Sequence, residues 1–479
     1  MTDTIHFQLT FLPDASEPVY LVGGSVRDLL AGHAPADIDL VTAGDIRRIA
    51  TRIAARTGGT IVDLGNKGFD VLRVASPEVS VDITPLDGAD IESDLRQRDF
   101  TVNAMAWDIH SHKLVDCTGG LTDLRQQTIR MVSPAAFEND PARLVRAYRL
   151  SATLNFSIAA STREAIARHC RRIADVASER VWTELTKLLA TDRSAPLIRD
   201  MAATGLLTAI FPELAPAVGC IQNRHHEFDV FEHTLRACAH LEELLVDFSS
   251  RFPFAAGAAE TVGVSGHAAI LKYACLLHDA GKPAARTMDA EGNVHFYGHA
   301  AKSAAIAAGA GRRLRLSRKQ RQVADKIIRY HLRPLFLFQA FENGSLGRRG
   351  MTRFFTRCGD LTLPIVVHTM ADIMAKGSVL DGRNERFINF CSDLMKGYSA
   401  YLDRRTALPP LISGHDLKSV LGLAPSPLFT LILKQVDERR LSGELETSDQ
   451  ALKWVRAFLK RRSENRRGEM EGGTSNSEP

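Results

Sequence analysis

The stretch Leu21–Leu40, LVGGSVRDLLAGHAPADIDL, constrains this chain more than any other. An apolar run enters a glycine pair, a helix-like segment follows, and Asp37-Ile38-Asp39 arrives on a short apolar stretch. Residues i and i+2 of a strand point to the same face, so Asp37 and Asp39 are expected to present two carboxylates side by side. Adjacent carboxylates repel, and they make chemical sense mainly as hard-oxygen ligands for a cation such as Mg²⁺. The glycines ahead of them, Gly23 and Gly24, let backbone N–H groups approach a phosphate. These are the parts of a phosphoryl- or nucleotidyl-transfer site, although a DxD by itself is a weak signal.

A second stretch, Asp94–Ala106, DLRQRDFTVNAMA, supplies the missing specificity. Glycine pair, Arg-Asp, DxD and RDFTVNAMA in this order resemble the head of the tRNA nucleotidyltransferase and bacterial poly(A) polymerase family, within the polymerase-β-like superfamily. Nucleotidyl transfer uses two metals to activate the attacking 3′-OH and to hold the triphosphate. The resemblance implies Asp37 and Asp39 as catalytic Mg²⁺ ligands, with Asp82 in Val81-Asp82-Ile83 as a third carboxylate on a neighbouring strand. By the same resemblance Gly23, Gly24 and Arg27 contact the nucleotide. Arg98 matches the second arginine of the family's RRD motif, where a guanidinium suits bidentate phosphate binding. Gln97 stands where the first would be. Asp116–Arg130, with its Gly119-Gly120 turn, resembles the motif that closes the head.

Base selection is expected in Asn139–Arg146, NDPARLVR. Spacings of three along a helix keep Asp140, Arg143 and Arg146 near one face. An aspartate acceptor beside an arginine donor mimics a Watson–Crick edge, so protein groups select C or A without a template. The family motif begins Glu-Asp, and here Asn139 replaces the glutamate. Glu179-Arg180 and Glu184-Leu185 resemble the last neck element and read as scaffolding. Only about a dozen residues separate Asp82 from Asp94. That interval resembles the members that add two cytidines and leave the terminal A to a partner.

Composition sets wider bounds. Over 479 residues with 45% hydrophobic content, several real cores are expected. The net charge is only +4, but Arg312–Arg321 and Lys453–Arg467 concentrate basic residues, which suits either solvated helix faces or an RNA backbone. Seven cysteines without a CxxC indicate neither a zinc knuckle nor a disulfide framework. No apolar run approaches the ~20 residues of a membrane span, and no signal-peptide pattern opens the chain. A cytoplasmic enzyme with no membrane partner is expected.

Strand-like runs at Val19–Val22, Ile38–Val41, Val71–Val74, Val79–Thr84 and Thr101–Trp107 alternate with helical stretches such as Asp45–Thr57. The fold class read from this and from the resemblance is α+β. A polymerase-β-like nucleotidyltransferase head, a mixed sheet with helices, spans 1–131. An all-α neck follows at 132–215, with Asp140-Pro141 opening a helix. A histidine-rich all-α unit covers 216–385, with a loop at Asp247–His267. A helical region at 386–460 and a disordered tail at 461–479 complete the chain.

The histidine-rich unit resembles the HD superfamily of metal phosphohydrolases, through His233 (DVFEHT), His278-Asp279 (ACLLHDAGKP), His299 (FYGHAAKS), His331 (IIRYHLRP) and Asp372 (HTMADIMA). Burying imidazole and carboxylate in a leucine-rich helix is costly unless they pair or ligate metal. His233, His278, Asp279 and Asp372 are the expected ligands of a divalent metal of open identity. His299 and His331 would hold a second metal or a substrate phosphate, and Lys282 would neutralise phosphate charge. His225 and His226 look like further family features. The unit would hydrolyse phosphoester ends or serve as part of a tRNA-binding body.

The resemblance therefore implies template-independent addition of C or CCA to the tRNA 3′ end from CTP and ATP. The alternatives are a poly(A) polymerase on general RNA 3′ ends, and an HD phosphohydrolase whose head is a nucleotide-binding relic. A purely structural RNA-binding protein would leave both acidic constellations without a reason.

Overall fold

The computed structural model describes residues 17–472, except 36, 66–69, 223–226, 256, 258–266 and 378–381, so His225 and His226 lie outside the described residues. Short runs rich in valine, isoleucine and leucine pair into one mixed sheet in the head. Its strands are β1 (Val19–Val22), β2 (Ile38–Thr42), β3 (Thr60–Asp63), β4 (Leu72–Ala75), β5 (Ser80–Pro85), β6 (Ala106–Asp108) and β7 (Lys113–Val115), in the order β3-β4-β5-β2-β1-β6-β7. β2 and β5 run parallel and the other neighbours antiparallel. This register sets Asp39 opposite Asp82, and Asp82 opposite Arg73 on β4. Alternation sends Ile38, Leu40, Val81 and Ile83 into a core closed by Ile49 and Ile53 of the helix Ile46–Thr57. That helix is N-capped by Asp45, whose side chain accepts from the Arg47 and Arg48 amides. Val22 and Val41 of the other face pack with Ile91 and Leu95.

Three local expectations are revised. β2 begins at Ile38, so Asp37 stands just ahead of the strand rather than on it. The run Thr101–Trp107 is a strand only from Ala106. Its first part, Thr101–Asn103, is a 3₁₀ turn, because Thr101 donates to Asp123 at 2.7 Å and Asn103 to Asp99 at 3.1 Å. The neck helix begins at Arg143, not at Pro141, and Asp140 accepts the Ala142 amide at 3.2 Å across the intervening turn.

The neck is helical apart from a two-residue parallel pairing of Thr128–Ile129 with Ser157–Ile158. The chain divides into two compact units after Ala215, the first also taking in Arg312–Leu316. In the second unit the helices Val230–Val246, Ala268–Leu277, Arg318–Tyr330 and Thr362–Met374 pack on one another. A ribbon of Thr287–Met288 and Val294–His295 interrupts the helical pattern. The stretch read as a loop from Asp247 opens with a helical turn, Phe248–Arg251.

The boundary expected at 385 falls inside the helix Gly382–Ala407. Phe387 and Phe390 of that helix pack on Phe338 with ring centroids 5.4 and 5.5 Å apart, which binds it to the preceding helices. The tail expected to be disordered from 461 continues the helix Ser448–Gly472 as far as Gly472. Its arginines and glutamates are strong helix formers, a propensity that sustains the helix despite the segment's polarity. Among the described residues no helix is long and apolar enough to cross a membrane.

Candidate active site and metal centre

A cleft of about 480 Å³ opens in the first unit between the glycine turn, the DxD and the first neck helix. Gly23 has φ 70° and ψ −137°, a conformation for which only glycine is suited. A Cβ there would lie 3.3 Å from Arg98 Nη1 and 3.5 Å from Asp39 Oδ2. The glycine thus lets backbone, guanidinium and carboxylate converge. Gly23→Ala is expected to cost roughly 1–3 kcal/mol of stability and, by displacing the site, roughly 100-fold in turnover. Denaturant unfolding and a steady-state nucleotide incorporation assay check the two effects.

Buried Ser25 joins the two halves of the motif: its hydroxyl donates to the Asp37 carbonyl at 3.0 Å and accepts the Asp39 amide at 2.9 Å. Asp37 is exposed and Asp39 half-buried. Burial, followed by the neighbouring Asp82 carboxylate, pushes the Asp39 carboxyl above its ordinary value, while Arg98 pulls against them. An acidic pair under such repulsion fits a hard cation by its donor chemistry.

The arginines of the cleft are held by neighbouring carboxylates or, for Arg143, by backbone carbonyls. Arg27 donates to Asp28 at 2.8 Å and to Asn103 at 2.6 Å. Arg98 spends Nε on buried Asp94 at 2.7 Å. Arg146 Nε lies 2.9 Å from Asp99, the carboxylate that also receives Asn103. Arg143 donates to the Gln97 and Arg98 carbonyls at 3.1 and 3.3 Å, and burial holds its pKa below the ordinary value. Asp140 stands 3.9 Å from Arg143 and accepts Arg180 at 2.7 Å. Burial raises the Asp140 carboxyl, but the Arg180 hydrogen bond and charge outweigh it, so the group sits below its ordinary value. Such pinned side chains reach a ligand at little cost in rotamer entropy.

Asp82 does not line this cleft. Arg73 grips it with two hydrogen bonds of 2.7 Å, from Nε and Nη2.

The second unit carries a buried cluster. His233, His278, His299 and His331 each commit Nδ1 to a backbone carbonyl, of Ala375 (3.2 Å), Cys275 (2.8 Å), Phe296 (2.8 Å) and Ile328 (2.6 Å). This pairing places a proton on Nδ1 and makes Nε2 the atom that would meet a metal, giving up any proton of its own on binding. Three of these Nε2 atoms face carboxylates, with His233–Asp372 at 2.9 Å, His278–Asp279 at 3.1 Å and His299–Asp279 at 3.4 Å. Lys282 Nζ lies 2.7 Å from Asp279 and donates to Gln222 at 2.6 Å.

Donor atoms of His233, His278, Asp279 and Asp372 lie within 4.8 Å of one another, as do those of Asp279, His299 and His331. His278 Nε2, His299 Nε2 and Asp279 Oδ1 are buried without a hydrogen-bond partner, which fits a metal there. Burial opposes ionisation of Asp279, but His278 and then Lys282 hold its carboxyl well below the ordinary range. Burial, then the neighbouring His278, push His331 down to about 4, so it is a neutral donor at pH 7.

Comparison with known proteins gives this geometry a family. The Poly A polymerase head domain matches residues 19–130, the probable RNA and SrmB-binding site of polymerase A matches 155–218, and the HD domain matches 230–348. The CC-adding tRNA nucleotidyltransferase of Thermus thermophilus is 34% identical over 91% of this chain and 92% of its own. The chain belongs to the tRNA nucleotidyltransferase family. The A-adding tRNA nucleotidyltransferase of Deinococcus radiodurans is 33% identical over 95% of this chain and 98% of its own. The fold also matches that of the Thermotoga maritima CCA-adding enzyme complexed with tRNA, with a TM-score of 0.62 over 92% of each chain at 20% identity. Nucleotidyltransferase heads and HD domains are generally metal-dependent.

In this family member the cleft brings together Gly23, Gly24, Arg27, Asp37, Asp39, Arg98, Asp140, Arg143 and Arg146. Asp82 stays one strand away, in register with Asp39. Ser25, Asp94, Asp99, Asn103 and Arg149 as supports, and Arg73 as the partner of Asp82, are not among the residues the sequence singled out, whereas Arg180 supports Asp140 as the scaffolding reading of its segment implies. Arg149 lines the cleft and is held by Glu184 at 2.8 Å. Asp94, Asp99 and Asn103 sit inside the second motif, which is the sequence signal that marks them. In the second unit two groups near the cluster, Cys275 and His368, also went unremarked.

Proposed function

We propose that the protein is a template-independent tRNA nucleotidyltransferase that extends the tRNA 3′ end with C or CCA from CTP and ATP, in the cytoplasm. The observation that carries this is one cleft holding the Asp37–Asp39 pair together with Asp140, Arg143 and Arg146. Asp37 and Asp39 would hold Mg²⁺, which when bound supplies charge neutralisation at the triphosphate and activates the 3′-OH. Arg27 and Arg98 clamp the phosphates, and the Gly23 turn lets the backbone approach them. Asp140 and Arg143 offer an acceptor and a donor to the base edge, held in place by Arg180 and by the Gln97 and Arg98 carbonyls. Asp82, gripped by Arg73, acts in this reading as a reserve carboxylate beside Asp39.

The interval after β5 supports addition of C alone. It closes at once, with the Asp87 amide on Asp94 at 3.3 Å and Asp90 capping the helix Ile91–Arg96. A segment this short has no slack with which to reshape the pocket from C to A. The test is incorporation into a tRNA transcript lacking its CCA end, with CTP, ATP or both. Two cytidines and no adenosine are expected. Full CCA addition overturns the C-only reading, and long A tails move the assignment to poly(A) polymerase. For the second unit, the ligand set supports a metal-dependent phosphohydrolase, in which Lys282 would neutralise phosphate charge.

A further inference from the structure

The buried cluster contains a histidine that the proposed chemistry leaves without a task. His368 lies on the helix Thr362–Met374, one turn before Asp372, and is fully buried at 0% exposure. Neither of its ring nitrogens has a hydrogen-bond partner. A buried polar atom without a hydrogen-bond partner is costly, so a position with two of them calls for a partner that protein atoms do not supply. The surroundings are polar on one side: the His368 ring lies 4.9 Å from that of His278 and 5.7 Å from that of His331. On that side too is a buried thiol, Cys275, three residues before His278. The donor atoms of Cys275, His278 and His368 lie within 4.8 Å of one another.

We propose that Cys275, His278 and His368 form a further transition-metal position, adjoining the one built from His233, His278, Asp279 and Asp372. It rests on the reading of the second unit as a metal centre and adds to that reading two ligands and a metal preference. One sulfur and two imidazole nitrogens select Zn²⁺ or Co²⁺ over Mg²⁺, because soft and borderline donors suit the former and hard oxygens the latter. Binding forms a metal–sulfur bond and releases the thiol proton to solvent, with no change of oxidation state.

The position also couples to its neighbour. His278 commits Nδ1 to the Cys275 carbonyl at 2.8 Å, so Nε2 is its one available donor. A single lone pair serves one ion at a time. The two positions therefore compete for His278: a thiophilic ion is drawn towards Cys275 and His368, and a harder ion stays with Asp279 and Asp372.

The experiment uses the full chain, stripped with chelator and titrated with Co²⁺ while absorption is read in the near ultraviolet. A thiolate-to-cobalt charge-transfer band is expected in the unaltered protein. It should vanish in Cys275→Ser and in His368→Ala and persist in Asp372→Asn and in Cys238→Ser, the latter removing the thiol hydrogen-bonded to Cys275. Absence of the band, or its survival in either of the first two variants, overturns the proposal. Because both sites are buried, X-ray absorption of the unaltered zinc-loaded protein provides a test without substitution. One sulfur at about 2.3 Å among nitrogen neighbours is expected, and a shell of nitrogen and oxygen alone overturns the proposal. Metal content after dialysis separates the two levels. Ions bound without sulfur remove only this position, whereas no bound ion removes the metal-centre reading with it.

Discussion

Asp39→Asn is expected to lower cytidine incorporation into a tRNA lacking its CCA end by about 1,000-fold or more, a loss of ~4 kcal/mol in transition-state stabilisation. The substitution keeps the shape of the side chain and leaves the backbone bond from the Asp39 amide to Ser25 intact. What it removes is the charge of a carboxylate that lines the glycine turn, lies opposite Asp82 and feels Arg98. Stability should move the other way. The folded pKa of Asp39 is raised, by burial first and Asp82 second, so its ionised form opposes folding at neutral pH and its protonation at low pH relieves that opposition. In Mg²⁺-free buffer the variant should be as stable as the parent or more so at pH 7. The difference should shrink on acidification, as the parent's carboxyl becomes neutral too. Incorporation within tenfold of the parent, with an unchanged Mg²⁺ requirement, would remove Asp39 from the metal site.

What the chain discloses by itself depends on how locally each group is held. Gly23, Arg27, Asp37 and Asp39 lie within one strand–turn–helix–strand unit, and Asp140, Arg143 and Arg146 within two turns of chain. Spacing alone keeps each set together, and packing of the neck helix against the head brings the two sets to one cleft. Arg73 could not be placed that way. Its grip on Asp82 exists because β4 and β5 pair in the one register that sets those two residues opposite each other. A shift of one residue would send Arg73 to the other face. His368 was hidden for a different reason. It sits in an apolar helical run, where one more histidine reads as core, and only the packing of helix on helix shows both its nitrogens unpaired. The head's strands were legible where hydrophobic runs were continuous. They were misjudged at Thr101–Asn103, where two side-chain hydrogen bonds override β propensity.

Asp279→Asn is expected to strip the second unit of metal and of phosphoester hydrolysis, while CTP incorporation stays within about twofold of the parent. Among the described residues Asp279 is the carboxylate common to two ligand groups, with His233, His278 and Asp372 on one side and His299 and His331 on the other. Losing even a supporting residue of a metal site costs 10–100-fold in affinity, so loss of a shared ligand should exceed roughly 100-fold. A cost in stability follows as well. Asp279 balances buried Lys282 at 2.7 Å and the His278 imidazole at 3.1 Å, and removing one member of a buried pair costs about 3–5 kcal/mol. The folded pKa of Asp279 is depressed despite burial, by His278 and Lys282. Its contribution is therefore present above the ordinary aspartate range and is lost as pH falls below that range towards the depressed folded value. Denaturant unfolding in chelator at pH 7 should show the parent well ahead of the variant, and the gap should close on acidification. Lys282 keeps Gln222 at 2.6 Å, which limits the damage and should leave the variant folded. A variant that retains full metal content and full hydrolysis would show that the chemistry of this unit does not pass through Asp279.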